Sequence, residues 1–382
     1  MPGSPSRTRS SGSGDASYRA SGVDIAGAES SIRELAKWID LTFDLNPCRP
    51  ALPLGFFANV IPVAPDLAIA ISTDGVGTKI LVAQEMDRYD TVGIDCVAMN
   101  ANDIICVGAT PISMVDYVAV ERADAAFLAE IGKGLYEGAR AAGINIPGGE
   151  LAQVREMIRG KRPDRGFDLV GACIGTVHPE RIIVGEAVAP GDAVVGIASS
   201  GVHSNGFTLA RRVLFDKAGL SVGTHMDELG ASVGEVLLTP THIYVREVVE
   251  MLDGGLAVKA LAHVTGDGLL NLLRVKNRAV GFVIDRLPQA PPIFDAIARL
   301  GEVDPAEMFL VFNMGVGFCL VIAPEDAGRA VEIAQRHGHA ASVIGYAVED
   351  HDPRVWIPER GLVGARGAFT PTAERPPANP RG

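Results

Sequence analysis

No window of this chain is apolar over the length needed to cross a bilayer, and the amino terminus lacks the apolar centre of a signal peptide. No membrane partner is therefore expected, and the chain reads as cytoplasmic. Cysteines are few: Cys48, Cys96, Cys106, Cys173 and Cys319 are an odd number, without a C-x-x-C pair, mostly in apolar segments. That excludes a disulfide frame or a zinc site and leaves reduced core thiols. Positive charge is also short, with 34 Lys and Arg against 46 Asp and Glu and a formal net charge of −12. A general nucleic-acid binder needs a basic face, so no nucleic-acid partner is expected. A nucleotide substrate stays open, because a few local cations and a metal can hold phosphates in an acidic protein. The G-x-x-x-x-G-K-[ST] phosphate loop is absent, and Gly75-x-Gly77 lacks the third glycine of the dinucleotide fingerprint.

What is present is the balance of a globular protein, 47% hydrophobic and 21% charged residues over 382 positions, long enough for two cores. Residues 1–17 are Ser, Gly, Pro and Arg with almost no large apolar side chains, and 366–382 are Pro-rich and polar; both read as unpacked tails. Between them strand-like and helix-like segments alternate, giving a first domain over 18–178 and a second over 179–365. Helical spacing marks 93–107, 123–142 up to Gly143, about 206–218, a segment after Pro240, 293–300 and 324–337. Strand patterns mark 67–71, 112–120, 167–177, 193–198, 279–284 and 316–322, with a last strand near 342–346. The pattern alone gives α/β or α+β without strand order.

Several polar, glycine-rich blocks interrupt this pattern. Ile71 to Lys79 reads I-S-T-D-G-V-G-T-K. Gly75 and Gly77 let the backbone turn and bring its N–H groups near an anion, Asp74 can hold a divalent cation, and Lys79 can neutralise phosphate. Alone, this block reads equally as a glycine-rich strand exit. Asn102 and Asp103 lie on an otherwise apolar helix and must find partners or meet a site. Asp95, about two turns earlier, can share their face or cap the helix. Gly148-Gly149-Glu150 again joins glycines to an acid. The turn Ser199 to Gly206 sets hydroxyls, Asn205 and His203 at a helix start, as a ribose phosphate would need, although Ser204 and Asn205 also suit an N-cap. His203 can act there as acid or base. His263-Val264-Thr265-Gly266-Asp267-Gly268 and Asn313-Met314-Gly315-Val316-Gly317 follow.

In this order and spacing, from about Tyr18 to Ala347, the blocks resemble the phosphoribosylformylglycinamidine cyclo-ligase (aminoimidazole ribonucleotide synthetase) family of purine biosynthesis. The resemblance implies two α/β domains, with N-terminal domains pairing into a β-barrel across a homodimer. It implies ATP-dependent ring closure of formylglycinamidine ribonucleotide, with ATP and Mg²⁺. ATP would be bound by Thr73, Asp74, Gly75, Gly77, Lys79, Asn102, Asp103, Gly148, Gly149 and Glu150, and metal by Asp74, Asp103 and Glu150. The ribonucleotide would meet Ser199, Ser200, Gly201, His203, Ser204 and Asn205, with His203 and Lys79 catalytic. The chain departs from the family at Gln153, where a second acid is usual, at Asp267, where a third glycine is usual, and at Met314, where Cys is common. Asn46-Pro47-Cys48-Arg49-Pro50 and Leu54-Gly55-Phe56-Phe57 replace a basic segment and a G-G-F-G turn. These departures keep two alternatives: another ATP-using enzyme of the superfamily, of hydrogenase-maturation or small-molecule kinase type, and a nucleotide-binding paralogue without catalysis.

Overall fold

The computed structural model describes residues 25–365 and 367–381. The amino-terminal tail expected over 1–17 lies outside the described residues. The first half contains α1 (Ile25–Asp40), β1 (Asn59–Ala64), β2 (Leu67–Gly75), α2 (Lys79–Met86), α3 (Val92–Ile105), β3 (Thr110–Val120), α4 (Ala125–Ala142), β4 (Gly149–Gln153) and β5 (Phe167–Val177). Its sheet runs β1-β2-β5-β3-β4, antiparallel except for the parallel pair β3 and β4. Period-two alternation turns Ala68, Ala70, Ser72 and Asp74 toward α3 and leaves Leu67, Ile71 and Thr73 on the opposite, exposed face. Asp124 caps α4 by accepting from the Phe127 amide at 2.9 Å, and Gly143 ends it in the left-handed region.

The second half contains β6 (Ala193–Ala198), α5 (Phe207–Arg211), β7 (His225–Met226), β8 (Ala231–Ser232), α6 (Val233–Leu237), α7 (Val245–Asp253), β9 (Val258–His263), β10 (Val280–Ile284), α8 (Pro292–Gly301), α9 (Pro305–Val311), β11 (Val316–Ile322), α10 (Pro324–Arg336), β12 (Ala341–Glu349), β13 (Val355–Ile357), β14 (Leu362–Ala365) and β15 (Ala368–Pro371). Eight of these strands form one sheet in the order β15-β14-β13-β10-β12-β6-β11-β9. Its central strands β6, β10 and β11 are buried nearly throughout, hence their continuous apolar runs. One hydrophobic cluster runs from Val60 and Val97 in the first half to Leu209, Tyr244 and Phe318 in the second, so the halves share a core. A second cluster, with Phe282, Leu269 and Phe369, covers the other face of the second sheet.

Two expectations are corrected. Three strands follow β12, so 342–346 is not the last. The segment after 366 is not an unpacked tail: β15 pairs with β14, Phe369 is buried with its ring 6.3 Å from Phe309, and Tyr346 Oη donates to the Pro377 carbonyl at 3.2 Å. Helix α7 begins five residues after Pro240, at Val245. Gly149 and Glu150 lie in the edge strand β4. Within one chain the first sheet is open, with β1 and β4 as edges. Among the described residues no helix is long and apolar enough to cross a membrane.

Candidate functional site

Asp74 and Asp103 approach each other from different elements, the end of β2 and the last turn of α3. Asp74 is largely buried; that burial first, and the Asp103 charge second, push its carboxyl above the usual range. His263, at the end of β9, holds Asp103 through Nδ1 to Oδ1 at 2.9 Å, its imidazole wholly buried. Two mutually repelling, partly desolvated carboxylates with oxygen donors fit a hard divalent cation. Mg²⁺ asks for only one or two carboxylates beside phosphates and waters. Among the described residues no group of three or more His, Cys, Asp or Glu is set to hold a metal.

Of the two glycines in the first block, only Gly77 needs its identity for conformation, with φ at 71°. Gly75 closes β2 opposite Val170. Thr73 points to the outer face of the sheet, its Oγ1 donating to the Gly171 carbonyl at 2.8 Å. A Cβ on Gly77 would lie 3.9 Å from the Ser204 carbonyl oxygen, so the first block abuts the turn 199–206 directly.

In that turn the hydroxyls face inward. Ser199 Oγ donates to Asn313 at 2.8 Å, Ser200 Oγ donates to the Pro240 carbonyl, and Ser204 Oγ pairs with Thr241 Oγ1 at 3.1 Å. Asn313 also donates to the carbonyls of Gly201 and Val202 at 2.8 and 3.3 Å, fixing the turn from behind. Gly201 has open space where a Cβ would be, and Asn205 Oδ1 faces Gly266. The helix that follows is one turn of α-helix, α5, passing into a π-helical turn over Arg212–Lys217.

Lys79, Asn102 and His203 are taken up inside the protein. Lys79 is wholly buried: Nζ donates to Asp95 at 2.9 Å and to the carbonyls of His203 and Thr239 at 3.1 and 2.7 Å. Its three protons are engaged, so it has none for a phosphate. Asn102 is also buried, donating to the His242 carbonyl at 2.9 Å and accepting from the Tyr244 amide at 2.9 Å, and so ties α3 to the second half. The ring of His203 is 3% exposed, and its Nε2 accepts from the Ser200 amide at 3.1 Å. Burial above all, then the nearby His242, hold His203 well below the ordinary histidine range, so it is neutral near pH 7. It lies beside His242 and Tyr244, at 6.1 and 6.4 Å between ring centroids, and His242 lines a 510 Å³ cavity with Arg246, His337 and His339.

Glu150 does not join Asp74 and Asp103. The register sets Asp74, Gly171, Asp116 and Gly149 in one row, and Tyr117 and Glu150 in the next. Glu150 is therefore on the opposite face and three strands away, about 14 Å at roughly 4.8 Å per strand. Its carboxylate accepts from the Leu151 amide at 3.0 Å. Gly149 is small because a Cβ would stand 2.5 Å from Asp116 Oδ1, while Gly148 is exposed with nothing near. Asp267, the unusual acid, accepts from Arg274 at 3.4 Å, whose guanidinium lies 4.9 Å from the Phe57 ring centroid.

The sequence reading missed Asp116, Thr241, His263 and Asn313 as single residues. His263 and Asn313 stand inside blocks that were noticed, where an isolated polar side chain beside an apolar strand was the available signal. Asp116 sits in an alternating strand and Thr241 next to a proline, where nothing marks them.

Residues 57–177 match the family described as AIR synthase related protein, N-terminal domain, and residues 189–358 match the corresponding C-terminal domain family. The chain is 48% identical over 322 residues to phosphoribosylformylglycinamidine cyclo-ligase of Methanothermobacter thermautotrophicus, covering 84% of this chain and 92% of the relative. It is 45% identical over 334 residues to the protein of the same name from Methanocaldococcus jannaschii, covering 87% and 92%. Among solved structures, a HypE–HypF complex is similar in fold with a TM-score of 0.55 at 19% identity, covering 83% of this chain and 93% of that one. Thermotoga maritima PurL complexed with ADP is similar with a TM-score of 0.53 at 17% identity, covering 81% and 44%.

Proposed function

The chain belongs to the AIR synthase related family, and from that premise we propose that Asp74, Asp103 and the two abutting glycine turns form its reaction centre. The reaction is the ATP-dependent closure of formylglycinamidine ribonucleotide to aminoimidazole ribonucleotide, and the protein is a ligase of purine biosynthesis. The formyl oxygen of the substrate attacks the γ-phosphorus of ATP and ADP departs. The amidine nitrogen then attacks the activated carbon, the carbon–oxygen bond breaks and inorganic phosphate leaves; the attacking nitrogen and the former formamide nitrogen each give up a proton, and a methylene proton moves to the imine nitrogen to complete the aminoimidazole. A carbonyl oxygen is a poor leaving group until phosphorylated, so the protein's work is positioning and charge neutralisation.

Asp74 and Asp103 would hold Mg²⁺, which when bound neutralises charge on the transferring phosphoryl group. His263 keeps Asp103 oriented. The backbone around Gly75 and Gly77 faces the ATP phosphates, and the turn Gly201–Gly206, with Asn205, receives the ribose phosphate through main-chain amides. Neither Lys79 nor His203 touches the reacting atoms in this reading. The convergence of Asp74 and Asp103 where the two turns abut carries the proposal. Phosphate release and imidazole formation from formylglycinamidine ribonucleotide and ATP test it. Asp103→Asn is expected to lower kcat about 10²-fold or more with little change in thermal stability, whereas an inactive wild-type protein would overturn the reaction.

The outer face of the first sheet supports a homodimer. Leu67, Ile71, Val115 and Tyr117 are 39–45% exposed on it, with Ile61, Ile69 and Ile174 between them. A contiguous apolar face of this kind marks an interface. Its occupant in our reading is the same face of a second copy, which would close two open sheets into one barrel. The setting we assign is the cytoplasm.

A further inference from the structure

Lys79 and Asp95 belong to the first half, yet between them they hold three points of the second. Lys79 donates to the carbonyls of His203 and Thr239, and Asp95 accepts from Thr241 through its amide at 2.8 Å and its hydroxyl at 2.7 Å. Thr241 in turn meets Ser204. The His203 backbone is left-handed, with φ at 64°, a strained conformation for a residue other than glycine. Lys79 grips the carbonyl of that very residue. A lighter contact, Thr78 Oγ1 to Thr208 Oγ1 at 3.2 Å, joins the same two segments at the surface. Both charged side chains are fully buried. A buried ion pair adds little net stability compared with apolar residues of the same volume, so its sharper effect is to select one arrangement of the groups around it.

We propose that the Lys79–Asp95 pair is a positioning device that sets the Ser199–Gly206 turn from beneath, so that ribonucleotide affinity depends on it far more than ATP affinity does. The name of the ligand rests on the ring-closure reading; the shape of the turn does not.

The test is the double variant Lys79→Met/Asp95→Asn, which removes both charges together and leaves a side-chain amide oxygen in place of the carboxylate, still able to accept from Thr241. In the full-length protein, KM for formylglycinamidine ribonucleotide is expected to rise tenfold or more while KM for ATP stays within twofold. Hydrogen exchange of amides 200–206, without any ligand, should quicken at least tenfold while amides 68–74 of β2 keep their protection. Unchanged kinetics and exchange in the folded variant would overturn the proposal, and so would equal loss for both ligands, which is general loosening. Should the double variant fail to fold, Thr241→Val carries the same measurements, with a smaller rise in ribonucleotide KM, about threefold, expected and no rise overturning the idea. If the wild-type protein does not turn over formylglycinamidine ribonucleotide, the reaction reading falls and the exchange experiment alone decides this one.

Discussion

Asp74 is a residue whose value to function and to folding should have opposite signs. Its carboxyl is raised by burial and by the Asp103 charge. A carboxyl with its folded pKa above the unfolded value binds protons better in the native state. Its destabilising contribution is therefore absent at low pH and grows as pH climbs from the unfolded value through the folded one. At neutral pH, without Mg²⁺ or nucleotide, Asp74→Asn should accordingly raise Tm by about 2 °C and still lower turnover about 10²-fold or more. Calorimetry of the ligand-free variant checks the first half; a fall in Tm would mean that Asp74 is a structural anchor. Single residues were unevenly legible in the sequence. The paired acids could be picked out because carboxylates beside glycines or on an apolar helix are conspicuous. Lys79 could not be assigned, since what uses up its protons is a pair of carbonyls at 203 and 239, invisible to any local pattern.

Helices α3 and α4 pack with almost no side chain between them. A Cβ on Gly93 would come within 2.2 Å of the Leu135 amide nitrogen, and one on Gly138 within 2.9 Å of Val97. Gly132, on the same α4, has nothing within 4 Å. Two alanine substitutions should therefore diverge: Gly132→Ala stabilises by about 0.5–1 kcal/mol through helix propensity, and Gly93→Ala destabilises by about 2 kcal/mol or more by forcing the helices apart. Urea midpoints of the two variants measure this, and a shift of the same sign in both would refute the packing account. Most elements could be foreseen, because α3, α4, β3 and β5 carry clear periodicity and β11 is a bounded apolar run. β13 to β15 could not, being three or four residues long among prolines and glycines, where pairing with β10 and burial of Phe369 decide the structure. β4 was obscured because its parallel pairing to β3 lies in the chain's topology, not in its composition.

At the scale of the whole molecule, the exposed face of the first sheet predicts an assembly. Ile71→Asp combined with Val115→Asp should convert a dimer to a monomer in light scattering at micromolar concentration, because two charges would have to be buried in each apolar face. A wild-type protein that is monomeric at that concentration would remove the barrel. The expected boundary near Pro179 to Val184 rests on a polar turn between two alternating patterns; the core that the two halves share has no such local signal, as nothing in the sequence says that Val97 and Tyr244 belong to one cluster. The strand order of the second sheet bears on how the chain is made. β6 lies between β11 and β12, and both are translated long after it. On the ribosome the first sheet is complete by Val177, whereas Ala193-Val194-Val195-Gly196-Ile197-Ala198 emerges with two bare edges and waits for most of the remaining message. A stalled nascent chain ending before Val316 would therefore carry a completed first sheet, whose shared core still lacks Phe318, attached to an adhesive strand, a natural client for chaperones.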